Sequence, residues 1–317
     1  MISRRDWLRI SATAGAALSL DPQLLRAFQS MGQITKPIPS SGERVPVIGL
    51  GGRWISRGSS PEELAGHRAV LHALAEGGAG RVWDTAAGYG GGASEELSGE
   101  WAQEDGFAND IFWATKVNVA GGRGGGGSVN PAAVRAQIDQ SFERLRVPMI
   151  DLNQVHNMGD PPTQLRVLQE YKDAGRIRYI GITTTSENQY DDLERVMRSY
   201  PIDFIGIDYA IDNRVAEERV FPAAIDEGIA VLVYLPFGRS RMWGRIGDLP
   251  LPGWAAEFDA HTWAQFMLKF VVAHPAVTVA APGTGDPEHM VDNIGGGLGR
   301  LPNQEHLERM LAWERSL

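Results

Sequence analysis

The feature that most constrains this 317-residue chain is an alternation of short β-branched runs with longer amphipathic segments, beginning near residue 45. Eight runs read as strands, at 45–50, 81–84, 111–116, 149–156, 177–182, 204–208, 230–234 and 277–280. Helical segments lie between them, at 61–76, 93–105, 130–146, 161–174, 186–199, 214–227 and 259–273, with two more near 286–294 and 303–316. Strands that alternate with helices of this length form parallel βαβ units. Eight such units suit a closed barrel better than an open sheet, so the expected fold is a single-domain α/β (β/α)8 barrel spanning 31–317. The helix starts agree: Ser60 precedes Pro61-Glu62-Glu63, and Asn130 precedes Pro131, each an N-cap followed by proline at the first helical position. A short hairpin, with strand residues in 34–39, a turn at 40–42 and a return at Val45, is expected ahead of the barrel, plugging its bottom. The longest insertion, from Tyr234 to about Gly253, reads as an active-site loop.

Composition removes several function classes. A formal charge of -9 with mixed signs argues against a nucleic-acid surface, which needs a basic stripe. The absence of cysteine excludes thiol catalysis, cysteine-ligated metals and disulfides. His261, His274 and His306 lack ligand companions in the sequence, so no metal is expected. Glycine runs at 49–52, 88–92 and 121–127 give no G-x-G-x-x-G between a strand and a helix with an acid about 20 residues on, which disfavours a doubly wound nucleotide fold. The third run reads as a flexible loop at the top of the barrel.

The first thirty residues read as an address. Ser3-Arg4-Arg5-Asp6-Trp7-Leu8-Arg9, followed by an apolar run over 10–20, resembles a twin-arginine export signal. The run is too short to span a bilayer. The resemblance implies a folded protein carried to the periplasm by the twin-arginine machinery, with cleavage between Ala27 and Met31. An amphipathic helix retained on a cytoplasmic protein is the alternative.

Catalytic residues of such barrels sit at the C-terminal ends of the strands. Those ends present Asp84, Lys116 and His156, with Tyr89 five residues past Asp84 in a glycine-rich loop. Singly, Asp84, Lys116 and His156 read as a loop cap, a solvated charge and a core histidine, and Tyr234 as an ordinary barrel aromatic. Together, from consecutive strand ends, Asp84, Tyr89, Lys116 and His156 form a proton-donating set. Hydride addition to a carbonyl leaves negative charge on oxygen, which a proton donor must meet. A free phenol is reluctant at neutral pH, and a nearby ammonium stabilises the phenolate. Asp84 would hold that lysine, and His156 would orient the carbonyl.

At this point a family resemblance appears. Trp83-Asp84-Thr85-Ala86-Ala87-Gly88-Tyr89-Gly90 with Ser94-Glu95 resembles the Asp-Thr-Ala, Tyr-Gly and Ser-Glu motif of the aldo/keto reductases. Ala114-Thr115-Lys116 resembles the family's lysine strand, and Asp151-Leu152-Asn153-Gln154-Val155-His156 its histidine strand. Gly175-Arg176-Ile177-Arg178-Tyr179-Ile180-Gly181-Ile182 resembles the segment before the nicotinamide contacts. The adenosine-phosphate segment is matched by Ala281-Pro282-Gly283-Thr284, Pro287-Glu288-His289 and Asp292-Asn293. The resemblance covers about 34–295 with every landmark in order.

It implies NADP(H), with NAD(H) as the alternative, and a small carbonyl substrate, with Tyr89 as proton donor. Thr183 and Thr184 would hold the carboxamide, and Tyr234 would stack on the nicotinamide. Leu235, Phe237 and Gly238 would border the pyrophosphate, while Gly51, Gly52, Asp84, Pro282, Gly283, Thr284, His289, Asp292 and Asn293 would complete the cofactor site. Trp54, Asn118, Asn157 and Trp243 are candidates for the substrate pocket. Where the family often has a glutamine, at the end of the sixth strand, this chain has Gly206, removing one carboxamide contact. Two other readings stay open. One is a non-catalytic nucleotide-binding barrel acting as a redox-sensing or partner-binding subunit, which export favours because free NADPH is scarce outside the cytoplasm. The other is a phosphate-binding lyase or isomerase, for which only Lys116 is available as a Schiff-base residue.

Overall fold

The computed structural model describes residues 32–78, 80–121 and 128–317. The expected signal at 1–30 lies outside the described residues, as does most of the glycine run at 121–127.

The chain opens with a two-stranded antiparallel hairpin, β1 (Thr35–Pro37) and β2 (Arg44–Pro46), paired through Lys36 and Val45. Eight parallel strands follow: β3 (Leu50–Gly51), β4 (Arg81–Asp84), β5 (Ile111–Val117), β6 (Ile150–Val155), β7 (Ile177–Thr184), β8 (Phe204–Asp208), β9 (Ala230–Tyr234) and β10 (Val277–Ala280). Each pairs with its sequence neighbour. The ring closes between β10 and the chain entering β3: Gly49 donates to the Ala280 carbonyl (2.9 Å), Ala280 to Val47 (2.8 Å) and Gly51 to Pro282 (3.0 Å).

Among the described residues ten α-helices cover the outside: α1 (Pro61–Glu76), α2 (Ala93–Glu104), α3 (Pro131–Leu145), α4 (Pro161–Asp173), α5 (Tyr190–Ser199), α6 (Val220–Asp226), α7 (Arg241–Ile246), α8 (Trp263–Ala273), α9 (Pro287–Gly295) and α10 (Gln304–Ser316). Ser60 and Glu63 form the capping box of α1, and the Asn130 side chain accepts from Ala132 at the start of α3. Trp313 of α10 stacks on Trp263 of α8 at 4.5 Å, fastening the C-terminal helix to the barrel wall.

Alternation along the strands divides the core into two compartments. Outward residues such as Trp83, Trp113, Ile180, Ile182 and Ile207 pack under the helices. Inward residues Val82, Phe112, Ala114, Leu152, Tyr179, Phe204, Leu232 and Val279 fill the barrel, and Ile38 and Val45 of the hairpin join them from below. The hairpin therefore plugs the barrel, as its sequence suggests.

Four local expectations differ. The run at 45–50 is not one strand: Pro46 has no N–H to continue a ladder, so Val45 belongs to the hairpin and the barrel strand is regular only over Leu50–Gly51. The helices expected from 186 and 214 begin as 3-10 turns, Glu187–Gln189 and Val215–Glu217, and become α-helical at Tyr190 and Val220. In the second, Pro222 belongs in a first turn, which sets where the helix starts. The insertion after Tyr234 carries α7 and a 3-10 segment, Gly253–Phe258.

Candidate active site

Counting two residues up each strand from the inward apolar layer gives the next layer. Val82 leads to Asp84, Ala114 to Lys116, Leu152 to Gln154, Phe204 to Gly206 and Leu232 to Tyr234. The strand period thus places a polar floor on an apolar barrel, at the C-terminal end where the loops begin.

At its centre Lys116 and Asp84 form an ion pair, their side chains 1% and 3% exposed. Lys116 Nζ also donates to the Thr85 carbonyl at 2.7 Å. It lies 5.1 Å from the ring centroids of both Tyr89 and Tyr234, between the two phenols. Burial opposes the ammonium charge, but Asp84 and Tyr89 outweigh it and hold Lys116 above its ordinary range. Burial pushes the Asp84 carboxyl up, against the pull of Lys116, Tyr234 and Gln154. Asp84 Oδ1 accepts from the Tyr234 hydroxyl and from Gln154 Nε2, each at 3.3 Å, and Gln154 Nε2 also donates to the Tyr234 hydroxyl at 3.2 Å. Burial, with Asp84 and Tyr89 behind it, pushes the Tyr234 phenol well above its ordinary range, so it remains a donor.

Tyr89 reaches this centre on a turn that only glycine supports. Gly90, Gly91 and Gly92 have φ of 58°, 66° and 98°. A Cβ on Gly90 would strike the Ile55 carbonyl, and one on Gly92 the Arg144 guanidinium. Arg144 donates to the Ala87 carbonyl (3.1 Å) and to the buried Glu95 (3.3 Å), bracing the loop from beneath. The Tyr89 and His156 rings meet edge to face at 5.7 Å. Beyond His156 the chain is strained, with positive φ at Asn157, Met158 and Asp160. Asn157 is held there by donating its N–H to Thr183 Oγ1 at 3.1 Å.

The remaining expected residues divide. Thr183 faces inward beside Asn157, whereas Thr184 faces the helices, donating to Gln189 Oε1 at 2.5 Å, because successive strand residues take opposite faces. Thr184 is therefore turned away from the mouth, a correction to the expected pair. Asp292 is also withdrawn, its Oδ1 accepting from Thr262 (2.9 Å) and Gln265 (2.7 Å) at α8. Asn293 is buried beside it, and His289 is exposed, 3.9 Å from Asp286. Gly51 and Gly52 lie at the seam; Gly52 donates to the Asp84 carbonyl at 2.8 Å. Pro282 is buried, Gly283 exposed and Thr284 bonded to the Asp286 N–H at 3.0 Å. Trp54 lies against Gly283, at the adenosine-phosphate segment, where a Cβ would meet its indole nitrogen. Leu235 and Gly238 carry positive φ in the loop after β9, and Phe237 packs on Trp243 at 5.0 Å. Asn118 follows β5 with its Oδ1 buried and unpartnered by protein. Gln154 is the residue that motif reading passed over; its position two before His156 in the strand marks it as inward.

A buried ion pair is costly to halve. Lys116→Met should lower stability by about 3–5 kcal/mol, and adding Asp84→Asn should recover most of that loss. Urea midpoints of the native, single and double variants check this; a single variant as stable as the native protein would show that Asp84 carries no charge.

The arrangement compares closely with known proteins. The profile of the aldo/keto reductase family matches residues 47–308. The chain is 31% identical over 211 residues to the aldo-keto reductase yakc (NADP+) of Schizosaccharomyces pombe, covering 64% of this chain and 61% of that one. It is 28% identical over 204 residues to the NADH-specific methylglyoxal reductase of Escherichia coli, covering 59% and 62%. The chain thus spans about six-tenths of the length of these relatives. Its barrel superposes on that of the aldo-keto reductase AKR11C1 of Bacillus halodurans with a TM-score of 0.70 at 24% identity, covering 89% of this chain and 96% of that one. Since the family profile runs from the strand entering the ring to the final helix, the chain belongs to the aldo/keto reductase family.

Proposed function

We propose that this protein reduces an aldehyde or ketone to an alcohol with a nicotinamide cofactor. The observation that carries the reading is the Lys116 ammonium held by Asp84 beneath Tyr89, with His156 at the edge of the same phenol. A bound dihydronicotinamide supplies the hydride. Tyr89 donates the proton as charge develops on the carbonyl oxygen. Lys116 places a positive charge beside the phenol, and Asp84 keeps that charge from leaving the floor of the site. His156 orients the carbonyl from the other side of Tyr89.

The residues present fit the cofactor. The Thr183 hydroxyl faces inward, and Tyr234 keeps part of its ring accessible at the mouth for stacking. The loop after β9 turns through positive φ at Leu235 and Gly238, and its backbone would border the pyrophosphate. The N-terminus of α9, capped by Asp286, stands at the adenosine-phosphate segment. Among relatives, one name carries NADP+ and another NADH.

Tyr89→Phe should cut reduction of 4-nitrobenzaldehyde and methylglyoxal by about 100- to 10,000-fold while leaving cofactor binding intact by fluorescence titration. A variant retaining most of its kcat would remove Tyr89 as the donor.

The adenosine-phosphate segment sets the cofactor preference. At the two places where the family resemblance implies lysine and arginine stand Gly283 and His289. Each charge-assisted bond to a 2′-phosphate is worth about 1.5–3 kcal/mol, and Asp286 repels the phosphate. Discrimination between NADPH and NADH should therefore be weak at pH 8. Kd values for both cofactors at pH 8 decide it; a strong NADPH preference that survives His289→Ala would show the phosphate held elsewhere.

We propose further that residues 1–30 direct export by the twin-arginine route, on the strength of the Arg4-Arg5 pair and the short apolar run behind it. The receptor reads guanidinium geometry rather than charge alone. Replacing both with lysine should retain the protein in the cytoplasm, as fractionation would show; normal export of the double variant overturns the proposal.

A further inference from the structure

Gly206 and Tyr234 lie side by side on β8 and β9. A Cβ at Gly206 would come within 2.5 Å of the Tyr234 ring and 2.6 Å of its hydroxyl. The Tyr234 phenol therefore occupies space that any side chain at 206 would claim, and its hydroxyl reaches into the floor of the site. There it meets Asp84 Oδ1 at 3.3 Å and Gln154 Nε2 at 3.2 Å, on the carboxylate oxygen opposite the one that holds Lys116.

From this juxtaposition we infer that Tyr234 is a positioning residue for the proton transfer: its hydroxyl, admitted by Gly206 and supported by Gln154, tunes the Asp84–Lys116 pair and through it the acidity of the donor. The inference rests on the carbonyl-reductase reading, and it adds a role for the Tyr234 hydroxyl distinct from that of its ring. The hydroxyl dipole directs its proton at Asp84 and offsets part of the carboxylate's charge. Without it, Asp84 cancels more of the Lys116 field at Tyr89, and the phenolate loses support.

The ionisable groups facing this cluster are few. Tyr89 comes from the loop after β4, Lys116 from β5 and His156 from the end of β6. β7 offers Thr183 and β8 offers Gly206. Asp208, the register partner of Tyr234, is bonded instead to Arg239 (2.7 Å) and Tyr190 (3.2 Å).

The test compares native protein with Tyr234→Phe, which keeps the ring. The basic limb of the kcat profile for 4-nitrobenzaldehyde should move up by about half a pH unit, and kcat at pH 7 should fall by about threefold. NADPH Kd should not change. In the cofactor-free protein, the titration midpoint of the Tyr89 13Cζ resonance, assigned by its loss in Tyr89→Phe, should move up by the same amount. Gly206→Ala, which displaces the Tyr234 phenol, should shift both readouts in the same direction and decides the matter if Tyr234→Phe does not fold. Unshifted profiles in the folded variants overturn the inference, as does a change confined to NADPH Kd. Retained activity in Tyr89→Phe overturns instead the reading on which it rests.

Discussion

A positive charge buried in the barrel is the constraint around which the site is arranged. Lys116 enters an interior that directly below it is lined by apolar side chains, from Ala114 and Phe112 down to Ile38 of the plug. An ammonium there needs partners on every side, since an unpaired buried charge is among the costliest features a fold can carry. Asp84 supplies one, the Thr85 carbonyl another, and the faces of Tyr89 and Tyr234 close the rest. Asp84 in turn needs donors for its second oxygen and finds Tyr234 and Gln154. Each member of the floor satisfies another, so the geometry that stabilises the charge is also the geometry that faces a reacting carbonyl.

How much of this was legible beforehand follows from which signals are periodic. Strands β4, β8, β9 and β10 are readable to their end residues because the first two runs end at Asp84 and Asp208 and the other two stop two residues before Pro236 and Pro282. The first barrel strand was not, because Val45 and Val47 look alike in sequence while Pro46 between them separates a hairpin from a ring. Asp84, Lys116 and His156 stood out as polar residues at strand ends. Gln154 did not, being a neutral residue inside a strand; only the period-two count reveals that it points at Asp84. Thr183 and Thr184 are indistinguishable as residue types, and alternation alone decides that one faces the mouth and the other Gln189. Asp292 looked available because the residues that bind it, Thr262 and Gln265, arrive from a helix some thirty residues earlier.

The donor loop shows a different division of labour. Three glycines in left-handed conformation allow the chain to fold back sharply, but they do not choose the direction. The direction comes from outside: the Ile55 carbonyl on one side, and the Arg144 guanidinium on the other, anchored by buried Glu95. Glycine supplies the conformational freedom, and the packed neighbours remove it.

The closure of the ring has a consequence for the order in which this protein matures. Gly49 and Ala280 stand near opposite ends of the sequence, yet their hydrogen bond helps seal the barrel. A chain emerging from the ribosome completes β4, β5 and β6 long before β10 exists. Until β10 is present the ring cannot close, and a Lys116 and Asp84 left open to water would attract each other only weakly. Only when the last strand docks is water shut out and the attraction strengthened. The catalytic floor is thus among the last parts of the molecule to acquire its native electrostatics, and contacts this distant in sequence are slow to form.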